Sequence, residues 1–128
     1  MKLYIAAHSQ ETAKRLKDSL EARGHEVVSK WIVADTKFGL GIAAYTDKER
    51  HDLALMDEHD VRRADAVVLV AEAEGRTVPG GKHVETGIAL ALGRRVFVVG
   101  RRENLFHWHP LVTVLATFDE LIEVLGRD

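Results

Sequence analysis

The chain has 128 residues and an ordinary globular composition, with 46% hydrophobic and 30% charged residues. This length predicts a single domain over residues 1–128 that buries about two thirds of the unfolded chain's surface. The formal net charge of −2 gives no general attraction to a nucleic acid polymer or an anionic membrane. Cysteine is absent, which excludes disulfides, thiol nucleophiles and zinc–thiolate sites. No apolar run is long enough for a membrane span or a signal peptide, so we expect a cytoplasmic protein.

Short apolar runs alternate with helical periods along the whole chain, a pattern typical of a parallel α/β sheet. In chain order we predict a strand over residues 2–7, a helix over 10–23, a strand over 25–30, a helix over 47–63, a strand over 66–71, a helix that contains residue 85, strands over 96–100 and 113–117, and a helix over 118–125. The predicted fold is therefore a single-domain, doubly wound and mostly parallel five-stranded sheet of the flavodoxin or Rossmann type, with helices on both faces.

In such a sheet, ligands bind at the carboxyl ends of the strands. This rule brings together four loops, which are residues 7–10, the region around Trp31, residues 72–82 and residues 101–109. The segment from residue 31 to residue 46 lacks a clear period and is longer than most connections. We interpret it as a lid or binding loop, with a disordered insertion as the alternative.

Two carboxylates, Asp57 and Glu85, lie within the apolar stripes of their predicted helices. Burying an ionised carboxyl is costly unless it is paired, so such residues either form ion pairs or take part in chemistry with shifted pKa values. For Asp57 the alternatives are a structural pair with Arg62 or Arg63, or burial of Asp60 in its place. For Glu85 the alternative is a simple favourable interaction with the helix dipole.

Gly80 and Gly81 lead directly into the helix of Glu85. The first backbone N–H groups of that helix and the positive end of its dipole therefore face the predicted crevice, where they would attract an anion. A glycine pair also marks many plain turns, so this motif alone does not decide between the two interpretations.

Three segments in register resemble the nucleoside 2-deoxyribosyltransferase superfamily, which includes deoxynucleoside 5′-monophosphate N-glycosidases and small phage-encoded members. They are Leu-Tyr-Ile-Ala at residues 3–6, Met-Asp-Glu-His-Asp-Val-Arg-Arg-Ala-Asp-Ala-Val-Val at 56–68, and Gly-Gly-Lys-His-Val-Glu-Thr-Gly-Ile-Ala-Leu-Ala-Leu-Gly at 80–93. The ending at residues 98–107 follows the same order. The resemblance thus spans nearly the whole chain.

The resemblance implies an enzyme that cleaves the N-glycosidic bond of a (deoxy)nucleoside or its 5′-monophosphate, by hydrolysis or by transfer of deoxyribose to another base. It implies that Glu85 is the nucleophile at C1′, that Asp57 serves proton transfer to the base, and that Tyr4 orients the nucleophile. The chemistry is coherent in itself, because a developing oxocarbenium needs an electron-rich partner and the departing base needs a proton. It requires no cofactor.

From the loops at the carboxyl ends of the strands, we expect the substrate-binding residues to be Ala7, His8, Ser9, Trp31, Gly80, Gly81, His83 and Asn104. Ser9 would receive a 5′-phosphate or act as a plain helix cap, and Trp31 and Phe38 would stack on a base or fill the core. Where the transferases carry a polar or acidic residue and the monophosphate hydrolases a serine, this chain has Pro79. The choice between a free nucleoside and its monophosphate therefore stays open.

Superfamily members complete their active sites with a neighbouring subunit, so we expect a homodimer or larger homo-oligomer in which residues 104–109 reach a partner's pocket. His107 and His109, with His83 nearby, suggest a metal site, but their spacing provides no convincing third ligand and we predict no metal.

Two other interpretations remain. Pro79-Gly80-Gly81 followed by a glutamate also resembles the signature of lysine-decarboxylase-like phosphoribohydrolases, although His83-Val84 replaces its Gly-Thr. A non-catalytic nucleotide-binding module is possible as well, because fold alone does not give function.

Overall fold

The computed structural model describes residues 1–34, 40–73, 75–76 and 80–126. Its five strands are β1 (Lys2–Ala6), β2 (Glu26–Val27), β3 (Ala66–Val70), β4 (Arg95–Val99) and β5 (Val112–Leu115). Its α-helices are α1 (Gln10–Glu21), α2 (Asp47–Arg63), α3 (Gly81–Ala91) and α4 (Phe118–Leu125). Short 3₁₀ helices cover Lys30–Val33, Ile42–Ala44 and Leu105–Trp108. Phe38 and Pro79, which the sequence analysis singled out, lie outside the described residues.

All five strands run parallel, in the order β2-β1-β3-β4-β5. In register, Leu3 of β1 pairs with Ala66 of β3, and Ala66 pairs with Arg95 of β4. The order reverses direction between β1 and β3, so connections leave these neighbouring strands toward opposite faces and open a crevice at their carboxyl ends. The predicted doubly wound parallel sheet is confirmed.

Helices cover both faces of this sheet. α1 and α4 lie side by side and share a surface cleft, whereas α2 packs against α3 on the other face. Because both faces are covered, the central strands are almost fully buried, which explains their uninterrupted apolar runs. The core is built mainly from these strands and includes Leu3, Ile5, Val67, Leu69, Val96, Phe97 and Val98.

Side-chain caps fix the starts of three helices. Ser9 caps α1 by accepting from the backbone N–H of Thr12, and Thr117 caps α4 in the same manner. Thr46 and Glu49 form a reciprocal capping box at the start of α2.

The second strand is shorter than predicted. We expected a strand over residues 25–30, but β2 contains only Glu26–Val27 and a 3₁₀ helix begins at Lys30. The ladder ends because side chains take over its hydrogen bonds. Ser29 Oγ accepts from the backbone N–H of Ile5 at 3.0 Å, and Asp60 Oδ2 accepts from the backbone N–H of Lys30 at 3.0 Å.

Smaller differences occur at other ends. The predicted strand over 113–117 is β5, which ends at Leu115 because Thr117 serves as the cap of α4. α1 stops at Glu21 rather than at residue 23, and Gly24 follows in the left-handed region with φ 89°. No helix in the described part of the chain is long and apolar enough to cross a membrane.

Candidate active site

A tyrosine on the first strand and a glutamate on the third helix meet beneath the crevice. Tyr4 lies in the middle of β1 and is fully buried, and its side chain extends to the face that α3 covers. Its hydroxyl donates a hydrogen bond to Oε2 of Glu85. The central strand and the first turns of α3 thus hold the Glu85 carboxylate from below.

This carboxylate has an unusual protonation equilibrium. Burial raises the pKa of Glu85 to about 8, and the nearby charge of Asp57 adds to the rise, while the hydrogen bond from Tyr4 opposes it. Burial, followed by the charges of Glu85 and Asp57, also raises the pKa of Tyr4. The phenol therefore stays protonated and acts as a permanent donor to Glu85.

Asp57 is the second carboxyl of the site. It lies in the middle of α2, and its Oδ1 is buried without a hydrogen-bond partner among the described residues. Burial raises the pKa of Asp57 to about 6, and the charge of Asp60 contributes. Such a carboxyl takes up a proton readily near neutral pH, which is a property suited to a general acid or base.

The arginines considered as partners of Asp57 bind elsewhere. Arg62 Nε donates to Oε2 of Glu58 at 2.8 Å, and Arg63 Nη2 lies 3.7 Å from Oδ1 of Asp60. The described residues therefore provide no structural ion pair for Asp57. Asp60, the other alternative, is in fact the fully buried carboxylate of α2.

Asp57 lines an open cavity of about 460 Å³. Most of the cavity wall is apolar and comes from α2 and from the neighbourhood of the 3₁₀ helices Lys30–Val33 and Ile42–Ala44, and its polar members are His8, Tyr45, Arg50 and Asp57. Trp31 forms part of this wall and is 6% exposed, and its Nε1 donates to the carbonyl of Ile5 at 2.8 Å. A cavity with an apolar wall and a few polar groups suits a small-molecule ligand.

The loop after β1 contributes to this cavity in part. His8 lines it, and Ala7 is half-buried against the core. Ser9 Oγ accepts from the backbone N–H of Thr12 at 3.1 Å, so the hydroxyl serves as a helix cap in this structure. Of the three residues, His8 is the one that faces the space beside Asp57.

Gly80 and Gly81 form the start of α3, with Gly80 as the cap residue. Both are exposed, and a methyl group added at either would meet no atom of the described residues within 4 Å. Their small size is therefore not required by packing of the described chain. The open space in front of this helix start is compatible with the predicted anion position.

His83 and Asn104 lie at a different cavity, of about 290 Å³, between α3 and the 3₁₀ helix Leu105–Trp108. Asn104 Nδ2 and His83 Nδ1 are 3.2 Å apart, and the His83 ring lies 5.7 Å from that of His107. Burial lowers the pKa of both histidines. Neither His83 nor Asn104 is among the described residues that line the cavity of Asp57.

The three histidines singled out for metal binding do not form a cluster. Within the described ranges, no group of three histidines or acidic residues is arranged to hold an ion. His107 is instead buried, and its Nδ1 accepts from the backbone N–H of Glu103 at 2.9 Å.

A buried lysine near the site was missed by the sequence analysis. Lys82 Nζ donates to Oε1 of Glu103 at 2.8 Å and to the carbonyl of Val70 at 3.3 Å, and it lies 3.8 Å from Oε1 of Glu72. This network holds the first turn of α3 to the ends of β3 and β4. The signal was present, because Lys82 shares the buried stripe of α3 with Thr86.

No family profile and no curated protein sequence matches the chain. Among solved structures, it is similar to a CMP N-glycosidase of Clostridium botulinum, with 16% identity, a TM-score of 0.62 and coverage of 98% of each chain. It is also similar to a 2-deoxyribosyltransferase of the psychrotolerant bacterium Bacillus psychrosaccharolyticus, with 18% identity, a TM-score of 0.74 and coverage of 100% of this chain and 98% of that chain. The chain therefore has the fold of nucleoside 2-deoxyribosyltransferase-like proteins, as the resemblance in its sequence predicts.

Proposed function

We propose that this chain, as one domain, is an enzyme that cleaves the N-glycosidic bond of a (deoxy)nucleoside or its 5′-monophosphate. The observation that carries the proposal is the hydrogen bond from Tyr4 to Glu85, together with a second carboxyl, Asp57, whose charge acts on Glu85 and which lines an open cavity. Two carboxyls with raised pKa values at one site can divide the roles of nucleophile and proton donor.

In the proposed reaction, an oxygen of ionised Glu85 bonds to C1′ of the sugar as the C1′–N bond breaks. The electron pair of that bond goes to the base, which takes a proton from Asp57. Tyr4 holds Glu85 in line and disperses its charge. In the second half, Asp57 accepts a proton from water as the water oxygen attacks C1′, which frees Glu85 and the sugar. If the nitrogen of another base attacks instead, the outcome is transfer.

The reaction needs the two carboxyls to share one proton. With pKa values of about 6 and about 8, the pair carries a single proton between these two pH values. In the free protein that proton resides mainly on Glu85. A base seated against Asp57 excludes water from it, and positive charge developing at C1′ favours ionised Glu85. Both effects move the proton toward Asp57 as the transition state forms.

The solved structures support the class of chemistry without fixing its details. One is described as acting on CMP as an N-glycosidase, and the other as a 2-deoxyribosyltransferase. For this chain we propose hydrolysis ahead of transfer, and a monophosphate ahead of a free nucleoside. The open start of α3 at Gly80 and Gly81 supports an anionic substrate, because a helix N-terminus attracts phosphate.

We also propose that the protein works as a homo-oligomer. The segment after β4 exposes Leu105, Phe106 and Trp108, whose exposed fractions are 80%, 67% and 64%. Three large apolar side chains in one short segment are typical of a surface that another chain covers. Light scattering coupled to gel filtration would give the mass of the particle, and a monomer at micromolar concentration would contradict this part of the proposal.

The activity is tested by incubating the protein with deoxyribonucleosides, ribonucleosides and their 5′-monophosphates, each with and without a second free base. Chromatography then detects released or exchanged base. Exchange identifies a transferase, and release without exchange identifies a hydrolase. Release from ribonucleotides alone would identify a ribonucleotide N-glycosidase, which the phosphoribohydrolase interpretation also predicts, and binding without any turnover would support a non-catalytic module.

The matched pair of variants is Glu85→Ala and Glu123→Ala. Glu85→Ala should abolish turnover and leave the circular dichroism spectrum unchanged, whereas Glu123→Ala removes an exposed carboxylate of α4 and should be fully active. Full activity in a folded Glu85→Ala protein would remove the mechanism.

A further inference from the structure

A buried carboxylate on α2, which the proposed mechanism does not use, bonds to the segment that forms one wall of the cavity. Asp60 is 0% exposed and lies one helical turn after Asp57. Its Oδ2 accepts from the backbone N–H of Lys30, and its Oδ1 accepts from Lys30 Nζ, both at 3.0 Å. His59 Nδ1 and Arg63 Nη2 lie farther from Oδ1, at 3.5 Å and 3.7 Å.

The burial of the Asp60 carboxylate is unfavourable in itself. Removing a carboxylate from water costs several kcal/mol, which only well-placed donors repay. Asp60 directs both of its oxygens to one residue, Lys30, and the Lys30 side chain is itself 54% exposed. A lysine held only by its flexible side chain would position nothing, but the bond to its backbone N–H fixes the course of the chain.

Lys30 is the first residue of the 3₁₀ helix Lys30–Val33, and the next residue is Trp31. Trp31 and Asp57 both line the cavity. The same segment is held to α1, because Gln10 Nε2 donates to the carbonyls of Trp31 and Ala34 at 3.2 Å and 3.3 Å. The contact through Asp60 is a charged link between the segment that carries Trp31 and the helix that carries Asp57.

We propose that Asp60 is a positioning residue that clamps the Trp31 segment onto α2 and so presets the opening between the Trp31 ring and Asp57. This inference rests on the proposed function for the nature of the ligand, which is the planar base of a nucleoside or nucleotide. A preset wall reduces the ordering that the ligand must impose when it binds.

The sharpest change is Asp60→Asn. The amide keeps the shape of the carboxylate, but it has one acceptor oxygen where Lys30 presents two donors. The clamp is therefore weakened without a change in volume. Losing a charged hydrogen bond of this kind should raise KM about tenfold and change kcat much less. Lys30→Met removes only the side-chain half of the clamp and should raise KM by a smaller factor.

The position of Trp31 can be observed directly, because the chain contains only one other tryptophan, Trp108, which is 64% exposed. In a Trp108→Phe background, all tryptophan fluorescence comes from Trp31. Acrylamide should quench it weakly in the parent and about two to three times more strongly after Asp60→Asn, because a released wall exposes the indole. Kinetic constants are measured in the chain that keeps both tryptophans.

The matched control is Asp52→Asn, which breaks an exposed ion pair with Lys48 on the same helix and should alter neither quenching nor KM. Unchanged quenching in folded Asp60→Asn would overturn the clamp, and increased quenching with an unchanged KM would overturn its role in the site. If Asp60→Asn does not fold, Lys30→Met carries both measurements. The quenching arm needs no substrate, so absence of turnover in the parent would contradict the proposed function and leave the clamp to be decided by fluorescence.

Discussion

The hydroxyl of Tyr4 donates a hydrogen bond to the carboxylate of Glu85, 81 residues further along the chain. The bond joins β1 to α3 next to the place where the strand order reverses, which is where this class of sheet opens its ligand crevice. Because the Tyr4 phenol is fully buried on an inner strand of the sheet, it gives the Glu85 carboxylate a rigid support. The Glu85 carboxylate is therefore fixed before any ligand arrives.

Tyr4→Phe removes the donor and keeps the ring. Because the hydrogen bond from Tyr4 lowers the pKa of Glu85, its loss should raise that pKa further and leave less of the carboxylate ionised at neutral pH. We expect kcat/KM at pH 7 to fall roughly tenfold or more, with little loss of fold. A pH series of kcat/KM checks this, and an unchanged rate and profile would show that the bond has no part in the reaction.

The value of kcat/KM should depend on pH in a bell-shaped manner, which reports the two carboxyl groups of the free protein. Below about pH 6 both carboxyls are protonated and no nucleophile exists, and above about pH 8 both are ionised and no proton donor remains. The productive form, with one proton on the pair of Asp57 and Glu85, is thus most abundant between these limits. Initial rates at low substrate concentration across pH 4.5 to 9.5 give the two apparent pKa values. A profile that is flat through this window would contradict the shared proton.

Asp57→Asn should slow departure of the base rather than attack on the sugar. The amide cannot donate the proton that the leaving nitrogen needs, so kcat should fall by about 10²- to 10⁴-fold for ordinary nucleoside substrates. The loss should be much smaller for a glycoside whose leaving group, such as a nitrophenolate, needs no proton. Removing the Asp57 charge also lowers the pKa of Glu85, so the remaining rate should rise with pH at lower values and show no alkaline fall. An equal loss with both leaving groups would argue against a proton-donating role.

The sequence was sufficient to find the inward carboxylates, because charged residues within an apolar stripe are visible on a helical wheel. It could not separate Asp57 from Asp60, since both fall on the inner side of α2. The distinction depends on tertiary neighbours, because Lys30 reaches Asp60 from the end of the predicted second strand, whereas Asp57 Oδ1 has no hydrogen-bond partner among the described residues. A helical wheel shows which side chains share one face of a helix. The role of each of these side chains depends on the residues that other segments bring to that face.

Strand lengths and loop contacts could not be predicted from the sequence for a similar reason, because both depend on residues from other segments. The predicted second strand over residues 25–30 was wrong in length, because Ser29 and Asp60 take backbone donors that a longer ladder would need. His83 and Asn104 were grouped with the substrate-binding residues because the loops 72–82 and 101–109 lie at the same edge of the sheet. In the structure, they face a second cavity on the other side of α3 from Glu85.

Glu85→Gln should stabilise the protein at alkaline pH and have little effect at acid pH. The pKa of Glu85 rises from an ordinary value of 4.5 in the unfolded chain to about 8 in the folded one, so the folded state holds this proton more tightly. The resulting stability is complete below about pH 4.5 and is lost as pH rises toward 8. A neutral glutamine avoids that loss, so the gain over the parent should reach on the order of 5 kcal/mol above pH 8. Urea unfolding at pH 5 and pH 9 measures it, with Glu123→Gln as the exposed control. A difference that is the same at both pH values would contradict the buried, proton-holding carboxylate.

Lys82→Met should be strongly destabilising, because it leaves carboxylates unpaired in a place with little water. The side chains of Lys82 and Glu103 are 4% and 11% exposed, and Glu72 lies within reach of the same ammonium group. Removing one member of such a pair costs about 3–5 kcal/mol, most of it from the charge left behind. A second change, Glu103→Gln, should therefore recover part of the loss, which is a result that mere loss of packing around Lys82 would not give.

Lys17→Met is the control that separates the effect of burial from the loss of an ion pair. It breaks the ion pair with Glu21 on the outer face of α1. That pair is solvated, so its loss should cost no more than about 1 kcal/mol. If Lys17→Met and Lys82→Met lowered the free energy of unfolding equally, the network beneath α3 would contribute no more than a surface pair. In that case the first turn of α3, and the placement of Glu85 on it, would have to depend on the contact with Tyr4 and on packing against β3.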